Sequence, residues 1–172
     1  AGLLVMTTKR WPAAAIVMGG AFLWSAANWT PPAAPEGWAG IDTSFEHNEA
    51  GQYADYAQHM ATIAMVRQAA AQGAEVIVLP ESAFGVWTQT AESLWTRELA
   101  GLDITVNGGA IVIDQTGYDN VMVKVSREGS KILYRERMPV PVSMWQPWTT
   151  GGAHAHFFAN PVVEFAGARI AP

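Results

Sequence analysis

The stretch GAEVIVLPESAF, Gly73–Phe84, decides how this 172-residue chain is read. Its middle, Glu75–Leu79 (EVIVL), is a short run rich in β-branched residues, as expected of a buried strand. Pro80 stops that strand, because proline has no N–H to give to a ladder. Glu81 follows at the C-terminal end, the place where open α/β sheets hold their ligands. A carboxylate at such a rim is partly desolvated, which raises its pKa and suits it to act as a general base. The same position suits a plain capping role at the start of the next element.

Upstream, Gln52–Gln72 is alanine-rich and free of Gly and Pro. Tyr53, Tyr56, Met60, Ile63 and Ala64 recur at three- and four-residue steps, which predicts a helix with one buried face, ended by Gly73 as its C-cap. Trp38–Phe45 predicts a first strand. Downstream, Ala91–Leu99 reads as a second helix. Thr105, Ala110–Ile113 and Val121–Val125 read as strands, with Gly108-Gly109 and Asp114–Asn120 as turns. Glu128-Gly129 turns into Lys131–Tyr134, and Val162–Phe165 and Arg169–Ile170 are the last strand candidates. Strand–helix–strand followed by hairpins predicts an α/β sandwich.

Half of the residues are hydrophobic, 15% are charged, eight are tryptophan and none is cysteine. That composition excludes disorder, and the missing cysteine excludes disulfides, Cys-based zinc sites and a thiol nucleophile within this chain. A net charge of −5 argues against direct nucleic-acid binding, which needs a positive surface.

The charge is unevenly spread. Trp11–Pro35 carries no charged side chain, and only Lys9 and Arg10 precede it. Within it, Pro12–Trp29 is 18 residues long, about 27 Å as a helix against a hydrocarbon core of about 30 Å. Trp11, Trp24 and Trp29 lie towards its ends, where aromatic rings favour the membrane interface. Lys9 and Arg10 then predict a cytoplasmic N-terminal side, with the chain beyond Trp29 exported. A signal peptide cleaved near Ser25-Ala26-Ala27, and a buried core helix, are the competing readings. The predicted organisation is a hydrophobic membrane segment over residues 1–30, a proline-rich linker over 31–37, and a domain over 38–172.

Other motifs carry less. His154 and His156 stand two apart, so on a strand both face one way, but no third metal ligand is indicated and a catalytic zinc needs three. Arg135, Glu136 and Arg137 alternate in sign beside Tyr134, as a solvated strand end or as the rim of a site. Gly151-Gly152 lacks the context of a phosphate loop, and no G-x-S-x-G occurs.

Taken together, GAEVIVLPES, NVMVKVSREGSKILYRERMPVPVSMWQPW and PVVEFAGARIAP resemble, in order and spacing, three blocks of the nitrilase (carbon–nitrogen hydrolase) superfamily. The likeness runs from about Trp38 to Pro172. It is nearest the membrane-bound branch with the apolipoprotein N-acyltransferases and plasmid conjugal-transfer proteins. The resemblance implies an α-β-β-α sandwich, of which this chain would supply the N-terminal part. It makes Glu81 the general base. The family's catalytic lysine falls on Glu136, a reversed charge, with Arg135 and Arg137 on either side; its second glutamate falls on Met144. The nucleophilic cysteine block would follow Pro172, which implies a fragment that is catalytically incomplete. Two further readings remain: a non-catalytic binding or assembly module that keeps the fold, or a fragment of an active N-acyltransferase relative. No cofactor or metal is implied. The expected partners are the membrane, other conjugal-transfer proteins and a second copy in a homodimer. The expected location is the bacterial inner membrane, with the nitrilase-like part on the periplasmic side.

Overall fold

The computed structural model describes residues 11–30, 35–43, 56–159 and 162–171, which fall into two compact units, Ala1–Pro35 and Glu36–Pro172. In the first unit, Trp11–Ala27 forms helix α1, with Pro12 in its first turn, where the missing N–H breaks no bond. Asn28 closes the helix: its backbone N–H and its Nδ2 both donate to the Trp24 carbonyl, at 3.1 and 2.8 Å. The helix is therefore shorter than the predicted Pro12–Trp29 span. Its 17 residues reach about 25 Å, and among the described residues no helix is long and apolar enough to cross a membrane. The predicted transmembrane helix is therefore without support among the described residues. No α1 side chain is buried, and Ile16, Phe22 and Trp24 are each about three-quarters exposed. Lys9, Arg10 and most of the proline segment lie outside the described residues.

The second unit contains β1 (Trp38–Gly40), α2 (Tyr56–Ala71), β2 (Val76–Val78), α3 (Gln89–Leu99), β3 (Thr105–Ile113), β4 (Tyr118–Ser126), β5 (Gly129–Arg135), β6 (Val163–Phe165) and β7 (Ala168–Ile170). The first five strands make one sheet in that order. β1, β2 and β3 are parallel, as expected of strands joined through helices, whereas β3, β4 and β5 are antiparallel hairpin neighbours. β6 and β7 pair by themselves around Ala166 and Gly167, at φ 47° and 76°, a two-residue turn with both central residues left-handed. Phe165 of that hairpin meets the Trp38 ring edge-on, centroids 5.7 Å apart.

Local chemistry sets the helix ends. Gly73, at φ 94°, donates to the Ala70 carbonyl and closes α2 as predicted; the predicted start at Gln52 lies outside the described residues. Thr88 caps α3, its hydroxyl accepting from the Ala91 N–H at 3.1 Å. Glu92 in the first turn and Arg97 in the last complement the helix dipole.

Strand alternation sorts the sheet into two faces. Ile77, Val106, Ala110, Val121, Val123 and Val125 point to one side, where they meet Ile63 and Val66 of α2 and Leu94, Trp95 and Leu99 of α3. Trp95 is fully buried, donates from Nε1 to His59 Nδ1 at 3.1 Å, and takes the Phe84 ring edge-on at 4.7 Å. Side chains of this kind contribute about 1.5–3 kcal/mol each on burial. Asn107, Gly109, Asn120 and Met122 point to the other side, which neither α2 nor α3 covers.

One predicted turn is strand instead, and the predicted Asp114–Asn120 turn is shorter, Asp114–Gly117 turning and Tyr118–Asn120 opening β4. Gly108-Gly109 lies inside β3, and Asp119 and Asn120 belong to β4. A Cβ on Gly109 would stand 1.4 Å from the Glu81 carbonyl oxygen, and one on Gly108 would stand 2.9 Å from the Phe84 ring. These glycines allow close approach rather than a bend. The fold is thus mixed α/β: among the described residues one five-stranded, helix-covered sheet and a separate two-stranded sheet of β6 and β7.

Candidate functional site

The chain leaves β2 and lays its next turn across β3. Leu79 donates to the Asn107 carbonyl at 2.7 Å, Gly109 donates to the Pro80 carbonyl at 3.2 Å, and Phe84 donates to the Gly109 carbonyl at 3.0 Å. Phe84 anchors the far end of the turn in the core. Glu81 is thereby held through its backbone, directly over Gly109, on the open face of the sheet. Its side chain is exposed, where the sequence reading expected partial desolvation.

Glu81 borders a cleft of about 630 Å³ whose walls include Val78, Asn107, Gly109, Met122, Tyr134, Glu136 and Arg137. Of the sequence-predicted residues, Glu81, Glu136 and Arg137 come together here. Glu136 takes a hydrogen bond from Asn120 Nδ2 at 2.7 Å through one carboxylate oxygen, Oε2, and its backbone N–H donates to the Asn120 carbonyl. Arg137 donates from Nε and Nη2 to the Phe157 carbonyl, at 3.3 and 2.8 Å. A neighbouring depression shares Glu81 and Asn120 and reaches Met144 and Tyr118.

Arg135 does not join them. It pairs with Asp119 instead, and Asp119 belongs by alternation to the helix-side face. The same carboxylate accepts from His156 Nε2 at 2.7 Å and meets His154 Nδ1 at 3.2 Å. The two histidines therefore converge as their spacing suggested, but on a carboxylate already paired with a guanidinium. Among the described residues no group of three or more His, Cys, Asp or Glu side chains is arranged to hold a metal. Beside this cluster, Asp114 accepts from the Thr116 backbone N–H at 2.6 Å, from the Thr116 hydroxyl at 2.8 Å and from the Gly117 N–H at 3.0 Å. The Thr116 bonds are the main cause that holds its carboxyl below the ordinary aspartate value.

Asn107, Asn120, Tyr134 and Asp119 were not singled out from the sequence. Alternation along TVNGGAIVI was the available signal, since it places Asn107 opposite the core residues once the glycines are read as strand.

The carbon–nitrogen hydrolase family matches residues 96–170, which run from α3 through β7 and include Asn107, Asn120, Tyr134, Glu136 and Arg137. That segment is similar to carbon–nitrogen hydrolases. Glu81 lies outside the matched residues, and the fold brings it to them. The chain is also 56% identical to the conjugal transfer protein TraB of Agrobacterium fabrum and 50% identical to a probable conjugal transfer protein TraB of Sinorhizobium fredii, over its whole length in both cases. It spans 42% and 46% of those relatives. Among solved structures, it aligns with the glutamine-dependent NAD+ synthetase of Acinetobacter baumannii in complex with adenosine diphosphate. That match covers 66% of this chain and 23% of the other, at 17% identity and a TM-score of 0.41, too weak a likeness to bear on function.

Proposed function

We propose that this chain is the Glu81-bearing part of a membrane-attached, carbon–nitrogen hydrolase-type domain that serves conjugal transfer. The observation that carries this reading is the seating of Glu81 over Gly109, in one cleft with Glu136 and Arg137 of the hydrolase segment. An exposed carboxylate fixed through its backbone at a sheet rim is placed to take a proton from a nucleophile. The chain has no cysteine, and a carboxylate stands where the family's lysine would be, so these residues alone do not complete a thioester mechanism. The bare apolar surface of α1 supports attachment to the inner membrane, where such side chains leave water.

A second reading, an assembly module that keeps the fold without chemistry, is favoured by Glu136. Its hydrogen bond to Asn120 makes it a structural tie between β4 and the end of β5.

Plasmid transfer between mating cells separates the two. Glu81→Gln is expected to lower transfer frequency at least about tenfold, the size of a typical general-base contribution being about 100-fold or more. Unchanged transfer with Glu81→Gln, together with loss on the turn-disrupting Gly109→Val, would leave the assembly reading in place. A phosphatase fused after Thr30 reports the side of the membrane, activity outside the cytoplasm being the expected result.

A further inference from the structure

Among the described residues, one buried side-chain polar atom is unsatisfied. Asn107 is 5% exposed, yet its Oδ1 accepts no hydrogen bond from the described residues. The residue lies in the middle of β3, on the open face, and lines the cleft. Leaving such an atom unpaired is unfavourable by about 1–3 kcal/mol, and threonine or valine would suit a strand position better. Buried polar groups are nearly always paired, and one that is not points to a partner from elsewhere.

The surroundings say what that partner carries. Glu81 offers a carboxylate with no ion pair among the described residues, and Glu136 has Oε1 open beyond its bond to Asn120. Arg137, the cation of the cleft, already donates to the Phe157 carbonyl. Lys124, the register partner of Asn107, extends its ammonium towards Glu128 at 4.0 Å. Of the polar groups left open, the Asn107 oxygen and the two carboxylates only accept, two of them with negative charge, while the Ser82 and Tyr134 hydroxyls, which also line the cleft, can accept or donate. Val78 and Met122 supply apolar wall between them. Such a cleft selects N–H donors and positive charge on an aliphatic body.

We propose that Asn107 is the specificity-determining acceptor of this cleft, and that the cleft takes an aliphatic primary amine in its protonated form. This rests on the cleft being the functional site, but not on Glu81 acting as a base. The amine is held by its ammonium, shared between Asn107 Oδ1 and the carboxylates, while its chain lies on Val78 and Met122. No bond is made or broken in this step.

Calorimetric titration of the purified chain with hexylammonium chloride tests it, with sodium hexanoate and 1-hexanol as chain-matched controls. Hexylammonium is expected to bind at least about tenfold more tightly than either control, and Asn107→Leu to weaken it about tenfold, as loss of a charge-assisted hydrogen bond does. Asn107→Asp is expected to tighten it. The melting temperature of Asn107→Leu should equal or exceed that of the parent, because an unpaired buried group is removed; a purely structural asparagine would lower it. Equal binding of the three probes, no binding of hexylammonium, or unchanged affinity in the Asn107 variants would overturn the proposal. Should Asn107→Leu fail to fold, Asn107→Asp decides alone: tighter binding supports the proposal and any other result overturns it. Amine binding that persists while Glu81→Gln leaves plasmid transfer intact would remove the catalytic reading only.

Discussion

The two faces of the five-stranded sheet are built from the same strands, residue by alternate residue, and they serve opposite ends. On one face Ile77, Val106, Val123 and Val125 close against α2 and α3 around Trp95. On the other, Asn107, Asn120 and Glu136 surround an open cleft. Carboxylates divide in the same way. Asp119, by alternation on the helix-side face, is buried and held by Arg135, His154 and His156. Glu81 on the open face is exposed, in a turn held by the backbone bonds of its neighbours Leu79, Pro80 and Phe84. One face holds the fold together, and the other leaves its polar groups available. A polar side chain is thus informative here through its partners more than through its type.

That contrast can be broken by stability measurements. Trp95→Ala removes the largest fully buried side chain and should lower the urea-unfolding free energy by about 3–5 kcal/mol. Ile113→Thr, on the exposed end of β3, should change it by no more than about 0.5 kcal/mol. Similar losses from the two would mean that both faces support the fold.

A smaller effect is expected at the carboxylates. Asp119→Ala strands Arg135 and two histidines, but Arg135 is 38% exposed, so water screens much of its charge. A loss of about 1–2 kcal/mol is expected, against about 0–0.5 kcal/mol for Glu81→Ala. Equal losses would show that Glu81, too, is part of the framework.

The smallest effect is a pH dependence at Asp114. Its carboxyl is held below the ordinary value by the Thr116 bonds, so the folded state binds a proton less readily than the unfolded chain. The stabilisation is complete above the ordinary aspartate pKa of about 3.9 and is lost as pH falls through the lower folded value. Carboxyl carbon shifts followed by NMR should show Asp114 titrating below a matched peptide, and Thr116→Ala should move it upward. An unshifted titration would contradict the turn.

Much of this architecture was legible in the sequence. EVIVL between Gly73 and Pro80 marks β2 and places Glu81 at a sheet rim because its signals are local. The α3 cap and the Glu128-Gly129 hairpin are local as well. What was hidden depends on distant approach. Gly108-Gly109 reads as a turn until the Glu81 carbonyl is seen lying on Gly109, 28 residues away in the chain. Arg135 and Arg137 look equivalent in sequence, and alternation alone would put both on one face, yet β5 ends at Arg135, which pairs with Asp119, and the chain beyond the strand carries Arg137 to the cleft. The span predicted from Pro12–Trp29 counted uncharged residues, whereas the helix stops where Asn28 ties back to Trp24. Three blocks in order pointed to the carbon–nitrogen hydrolases, and the match over residues 96–170 takes in the second and most of the third of them.

Amide chemical-shift mapping of the isotope-labelled chain during titration with hexylammonium tests the division of the sheet most directly. The account predicts shifts that gather at Val78, Glu81, Asn107, Gly109, Met122 and Tyr134, while Ile63, Trp95 and Leu99 stay still. Shifts centred on α2 and α3, or scattered over both faces alike, would contradict it.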